Sequence, residues 1–351
     1  MVPRAPPRDI DRDQSEGSKM LKAAVVGLGW WGRTIVSSLR GNPALRVVMG
    51  VDSAPDAPAA FAREQGIEFR PRLEDALADP RIEAVILCTP HTQHCAQIIA
   101  AARARKHVFC EKPLCLTRAE VLEAVRICDA QGVALAVGHE KRFEPPIQEL
   151  FGALRDGALG TPLQVEANFS QDKFLALDPS NWRLSPYEAP AGPLTATGIH
   201  LLDLSVGVFG PAERAFASVR QLGSKLANGD TLAALLGFKR GGHALISAIL
   251  ATPFAGRFAV YGNRGWIEVR DKTHPEAPEG WTMTTCLSGE RAQSKDYPPA
   301  SSVVANLEAF AEAALGGRRY PVPREQMIAN ICALEAVVKS ARSGKVELVQ
   351  N

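Results

Sequence analysis

The chain has 351 residues, long enough for two domains with separate cores, and its 46% hydrophobic and 22% charged content is that of a soluble globular protein. Forty basic and 38 acidic residues leave a formal net charge of +2, too even for a nucleic-acid or membrane surface, and no apolar run reaches the ~18 residues a membrane span needs. The cysteines (Cys88, Cys95, Cys110, Cys115, Cys128, Cys286 and Cys332) sit mostly in apolar runs without a C-x-x-C pair, so they read as reduced core residues of a cytoplasmic protein with a small-molecule partner.

Residues 1–19, MVPRAPPRDIDRDQSEGSK, mix proline, charge and glycine without an apolar stretch. They are expected to be a disordered extension rather than a signal peptide, with Met20 the candidate start. From Lys22, the β-rich runs KAAVVG, RVVMGVD, EAVILC, KHVFC and VALAVG alternate with amphipathic stretches such as Gln93–Ala104 and Arg118–Ala130. Strands apolar on both faces and spaced by helices predict an α/β fold, a doubly wound parallel sheet of the Rossmann type over residues 20–143. The pattern breaks after Phe143, at EPP.

Within this half, Gly27, Gly29 and Gly32 stand at G-x-G-x-x-G spacing between an apolar strand and a helical pattern. The first glycine permits a tight turn, the second lets a pyrophosphate approach the backbone, and the third lets helix and strand pack closely. The turn, Gly27, Leu28, Gly29, Trp30, Trp31 and Gly32, is therefore expected to bind a dinucleotide. The two tryptophans occupy free positions of the motif and either pack against a neighbouring helix or the second domain, or wall the cofactor cleft. Asp52 ends the next strand, 25 residues after Gly27, near the offset at which an acid holds a ribose 2′-hydroxyl; this favours NAD over NADP, the bland alternative being a helix cap.

The second half, residues 144–351, changes character. LQVEANFS, RAFASVRQL, TLAALLGFK, HALISAILA, RFAVYG and GWIEVR are successive strand candidates without helices between them, which predicts an antiparallel meander. The spacing of Met327, Ile331, Leu334 and Val338, stopped by Gly344, adds a helix to cover one edge or face of it.

Six segments, the glycine turn together with CTPHTQH (88–94), EKPL (111–114), GHEKRFEPP (138–146), NWR (181–183) and TGIHLLD (197–203), resemble the Gfo/Idh/MocA oxidoreductases in order and spacing. The likeness runs over about residues 21–350 and includes VYGNRGWIEV and the ending LEAVVKSARSGKVELV. The resemblance implies a Rossmann domain that binds NAD or NADP. It also implies an α+β second domain whose large, mostly antiparallel open sheet shapes the substrate pocket and joins copies into a dimer or tetramer. It implies that Lys112, whose bond to Pro113 is often cis in relatives, lies beside the nicotinamide and reaches the reacting hydroxyl, with His200 facing the same hydroxyl. By the same matching Thr89, Pro90 and His94 border the cofactor, Glu111 lies on its nicotinamide side, and Arg142, Trp182 and Arg183 belong to the substrate pocket. Arg142 has a second reading, as a brace of the domain junction.

One position departs from the family. Many relatives carry D-x-G-x-H, whereas this chain has Ala196-Thr197-Gly198-Ile199-His200, so the carboxylate four residues before the histidine is missing. Thr195 or Thr197 offers a substrate hydrogen bond but no proton acceptor near pH 7. Asp203, one helical turn beyond His200, either orients the imidazole or pairs with a neighbour. Oxidising a secondary alcohol needs a base and an alkoxide stabiliser while the cofactor takes the hydride; a buried lysine and a histidine meet that need. HTQHC (91–95) reads as cofactor-side or capping residues, and no metal is expected.

The resulting expectation is an NAD(P)-dependent dehydrogenase acting on a CH–OH carbon of a sugar, cyclitol or dihydrodiol-like substrate. The alternatives are a dinucleotide-binding regulatory protein that lost turnover, and a methyltransferase using the glycine turn for S-adenosylmethionine, which has no use for EKP.

Overall fold

The computed structural model describes residues 20–54 and 56–351, so the extension expected over residues 1–19 lies outside the described residues. The first half runs β1 (Leu21–Val26), α1 (Trp30–Ser38), β2 (Leu45–Val51), α2 (Asp56–Glu64), β3 (Glu68–Arg70), α3 (Leu73–Ala78) and β4 (Ala84–Leu87). It continues with α4 (His94–Arg103), β5 (His107–Cys110), α5 (Arg118–Gln131) and β6 (Leu135–Val137). The six strands form a parallel sheet in the order β3-β2-β1-β4-β5-β6, the doubly wound arrangement expected. Every residue of β4 is buried, because helices cover both faces. The helix α5 begins with a capping box, the Thr117 hydroxyl accepting from Glu120 N–H while Glu120 reaches back, and it ends at Gly132 with φ +65°.

The second half contributes α6 (Pro145–Arg155), β7 (Pro162–Ser170), α7 (Ile199–Phe209), β8 (Ala212–Arg220), β9 (Thr231–Phe238) and β10 (His243–Ile249). Then come β11 (Ala255–Gly262), β12 (Gly265–Asp271), β13 (Trp281–Leu287), β14 (Gln293–Tyr297), α8 (Ser302–Ala314), α9 (Arg324–Ser343) and β15 (Glu347–Leu348). Its nine-stranded sheet has the order β14-β13-β12-β11-β7-β10-β9-β8-β15. It is not a simple meander: β7 lies between β11 and β10 and pairs with β10 in parallel, so the remaining antiparallel pairs flank one parallel seam. One face packs on α7 and α9, in a core that includes Leu201, Leu204, Ala333 and Val337. The other face is open, and there Phe216, Leu235 and Leu245, 42–44% exposed, form a row across three neighbouring strands.

The division at residue 143 does not separate two cores. Leu307, Phe310 and Ala311 of α8 enter the core of the first sheet, where the Phe310 ring meets Phe109 edge-on at 5.8 Å. Met327 and Ile331 of α9 also pack into the first half, whereas Ala333, Leu334 and Val337 face the second. The closing helix therefore covers a face of the larger sheet, as expected, and in addition bridges to the first half. A linear reading of periodicity finds such a helix but not the surface on which its apolar stripe lands.

Candidate active site

The glycine turn follows β1 and opens α1. A Cβ at Gly27, where φ is +90°, would lie 2.8 Å from the Cys88 carbonyl, and one at Gly32 would strike the Gly27 carbonyl oxygen, so both positions are dictated by backbone packing. Gly29, the N-cap of α1, differs: its φ of −66° suits any residue, and a Cβ there meets no atom of the described residues within 4 Å. The space beside Gly29 and the unpaired amides of the first helical turn suits an anion. Asp52 lines the same groove with Ser53 and Pro71. Its Oδ2 accepts from Leu28 N–H at 2.7 Å and its Oδ1 from Ala54 N–H at 2.9 Å, so it also fastens the turn. Leu28, expected among the cofactor contacts, is instead a core residue, 1% exposed, with its amide committed to Asp52.

This groove runs into a deeper pocket between the two halves. Trp31, Cys88, Thr89, Trp182 and Arg183 line both, which makes them one continuous crevice, with Pro90 on the groove side. Trp30 and Trp31 both wall the inner pocket; the Arg183 guanidinium lies over Trp182 at 4.3 Å and over Trp30 at 5.7 Å, joining the halves across the entrance. His94 sits deeper than expected: it is fully buried, its ring nitrogens 2.7 Å from the Pro113 carbonyl and 3.0 Å from that of Thr89, and it braces the two loops.

Lys112 and His200 line this same pocket, one from the loop after β5, the other from α7. The Lys112–Pro113 peptide is cis. Lys112 Nζ donates to the carbonyls of Ala196 (2.5 Å) and Thr195 (3.4 Å). These carbonyls belong to a π-helical segment, Leu194–Gly198, that leads into α7. Burial pulls the Lys112 ammonium below the ordinary lysine range, against the opposing pull of Glu140 and Glu111. Burial, reinforced by the Lys112 charge, holds His200 well below the usual imidazole range, so it is neutral at pH 7, with a ring nitrogen free to accept a proton. Glu111 is buried beside Lys112, and burial raises its carboxyl.

Three expected substrate contacts are otherwise engaged. Arg142 and Asp203 are bound to each other at the junction, and the Thr197 hydroxyl donates to the Phe169 carbonyl at 2.7 Å. Conversely, the pocket contains residues that the motifs did not single out: Glu140, His274 and Glu276. Glu140 lies inside the GHEKRFEPP segment, a few residues past β6 at the carboxyl end of the parallel sheet, where ligands of such folds bind, and that position was the signal for it. His274 and Glu276 come from the β12–β13 connection, for which the sequence carries no comparable mark.

Comparison with known proteins agrees with this geometry. A sequence profile for an oxidoreductase family with an NAD-binding Rossmann fold matches residues 21–139, and one for the Gfo/Idh/MocA C-terminal domain matches residues 147–268. The chain belongs to the Gfo/Idh/MocA oxidoreductases. A 1,5-anhydro-D-fructose reductase of Ensifer adhaerens is 27% identical over 94% of this chain and 98% of its own. A myo-inositol 2-dehydrogenase of Thermotoga maritima is 27% identical over 72% of this chain and 77% of its own. The crystal structure of an aldose-aldose oxidoreductase from Caulobacter crescentus superposes with a TM-score of 0.82 at 26% identity, covering 94% of this chain and all 100% of that one. As a Gfo/Idh/MocA protein, the chain is an NAD(P)-dependent dehydrogenase, and the methyltransferase reading falls away. An NAD(P) dinucleotide fits the groove as built: open space beside Gly29, helix amides for its phosphates and the Asp52 carboxylate on the wall.

Proposed function

We propose that this enzyme oxidises a secondary alcohol of a sugar, cyclitol or dihydrodiol-like substrate, or reduces the matching carbonyl, with NAD as the preferred cofactor. The observation that carries the reading is the convergence of Lys112 and His200 on one pocket continuous with the dinucleotide groove. When bound, the nicotinamide supplies the hydride acceptor or donor. His200, neutral, takes the hydroxyl proton, and Lys112 donates to the oxygen as negative charge builds on it. To do so Lys112 turns part of its bonding from the Ala196 and Thr195 carbonyls toward substrate. Trp182 and Arg183 close the pocket mouth, with the Trp182 ring edge-on to His91 at 4.7 Å.

The preference for NAD is supported by Asp52, whose carboxylate favours a ribose diol and repels a 2′-phosphate. A cytoplasmic location is supported by seven free cysteines. Assembly into a homo-oligomer is supported by the exposed row Phe216, Leu235 and Leu245 on the open sheet face. Fluorescence titration with NADH and NADPH tests the cofactor, tighter NADH binding being expected. A panel of sugars, inositols and dihydrodiols assayed with both cofactors tests the substrate class, and Lys112→Ala is expected to lower kcat by ~10²–10⁴ while cofactor affinity stays within a few-fold. Cofactor binding with no turnover across the panel would favour the regulatory alternative.

A further inference from the structure

We propose that Glu140 is the carboxylate that serves His200: reaching in from the first half, it accepts the imidazole Nδ1–H and so leaves Nε2 free to take the substrate's hydroxyl proton. Three observations carry this. His200 Nδ1 is buried with no hydrogen-bond partner among the described residues, and Glu140 Oε2 faces it at 3.5 Å, one small closing movement from a hydrogen bond. The imidazole is held in that orientation by edge contact with His139 at 5.5 Å and by Phe169 at 6.0 Å.

Second, the helix that carries His200 offers it nothing. Position 196, one turn before, is alanine, and Asp203, one turn after, is fully engaged by Arg142. Third, no side chain is hydrogen-bonded to Glu140: among the described residues its carboxylate accepts no hydrogen bond from another side chain, and it is 8% exposed and lines the pocket. The neighbouring Lys141 is committed elsewhere, to Asp271 at 2.8 Å and Glu144 at 3.1 Å.

The proton balance follows from this arrangement. As the substrate O–H bond breaks, its proton bonds to Nε2, and the hydride leaves the carbinol carbon with its electron pair for the cofactor, so that C–OH becomes C=O. The imidazolium formed in between is flanked by the Glu140 carboxylate, which offsets the charge that burial opposes. Glu140 does not touch the reacting atoms in this scheme; it is a positioning residue acting through His200.

Its own ionisation makes the arrangement sensitive to pH. Burial and the nearby Glu111 push the Glu140 carboxyl up to about 7, with Lys112 and then Lys141 pulling the other way. The other titratable neighbours are Glu144, raised by burial, and His139 and His274, both held neutral by burial.

The inference rests on the dehydrogenase reading, but its decisive test does not need a substrate. In histidine-¹⁵N-labelled protein, with His200 assigned through His200→Gln, the wild type at pH 8 is expected to show the Nδ1–H tautomer. In the isosteric Glu140→Gln variant the population is expected to move toward Nε2–H; in Glu140→Asp, which keeps the charge, it is expected to stay. With an active substrate, Glu140→Gln is expected to lose about tenfold or more in kcat, with NADH affinity within twofold and with the rise of kcat/KM through neutral pH abolished. Glu140→Asp is expected to recover part of the loss. In the wild type alone, lowering the pH through the Glu140 ionisation should displace the Nδ1–H form. A His200 tautomer that ignores both that ionisation and Glu140→Gln overturns the assignment, whatever happens to kcat. Absence of turnover on every polyol, with the tautomer response intact, would count against the substrate reading instead.

Discussion

Arg142 grips Asp203 with two side-chain hydrogen bonds, Nε to Oδ2 at 2.5 Å and Nη2 to Oδ1 at 3.1 Å, and Nη2 also donates to the Asp203 carbonyl at 2.7 Å. The residues are 61 positions apart, and their side chains are 11% and 1% exposed. Removing one partner strands a buried charge. Arg142→Ala is expected to destabilise the protein by about 3–5 kcal/mol in chemical denaturation, and the double variant with Asp203→Ala by less than the sum of the two. NADH affinity should hardly move. A pure rise in substrate KM at unchanged stability would return Arg142 to the pocket.

The buried carboxyls and imidazoles predict opposing slopes of stability against pH. Glu140 and Glu144 are raised to about 7 and about 8, so the folded state holds protons that the unfolded chain has released. Their contribution is complete below about pH 4.5 and is lost as pH rises through 7 and 8. His139 and His274 are lowered to about 4 and about 3, so their contribution is complete above about pH 6.5 and is lost as pH falls toward 3. The ligand-free protein is therefore expected to lose stability as pH rises from about 6.5 to 8.5, and Glu140→Gln to be more stable than wild type at pH 8, by on the order of 1–3 kcal/mol, yet similar at pH 5. Thermal melts across pH 5–9 check this. A wild-type curve that stays flat from pH 6.5 to 8.5 would contradict it.

The glycine turn separates folding from binding. Gly29→Ala puts a methyl group into space that no atom of the described residues occupies, so the melting temperature is expected to stay within about 2 °C while NADH affinity falls at least about tenfold. Gly32→Ala drives its methyl group into the Gly27 carbonyl and is expected to lose several kcal/mol of stability. Equal effects of the two on the melt would show that Gly29 is structural too.

On the open sheet face, Leu235 is paired directly with Leu245 on one side and Phe216 on the other. Leu235→Glu places a charge at the centre of that row. If the wild type is the oligomer proposed, light scattering after gel filtration is expected to show a smaller species for the variant, with kcat per subunit within about twofold. A wild type that is monomeric at micromolar concentration removes the basis for this reading.

What the sequence made legible was whatever depends on local backbone demands or on order along the chain. The doubly wound sheet follows from apolar runs spaced by helices, and the turn at Gly27 and Gly32 follows from close approaches that only glycine allows. Pairings between distant residues were not legible. Arg142 and Glu140 lie in one segment, GHEKRFEPP, but only the folded chain shows that the first meets Asp203 and the second faces His200. The three-residue strand β3 is too short and polar to show a period, and the parallel β7–β10 seam depends on strand order in space.

The return of α8 and part of α9 to the first half makes the large sheet, all but its edge strand β15, an insertion rather than an appendix. A gene cut after residue 143 would strip Leu307, Phe310 and Ala311 from the cofactor half and lay its apolar flank open to water. A chimera that keeps residues 302–351 with the dinucleotide half and exchanges only the segment between 144 and 301 leaves that flank sealed, and the incoming segment must then match the α9 face and the β15 edge that this sheet packs against. The junctions for grafting a new pocket onto this protein are therefore two, and neither is a chain terminus.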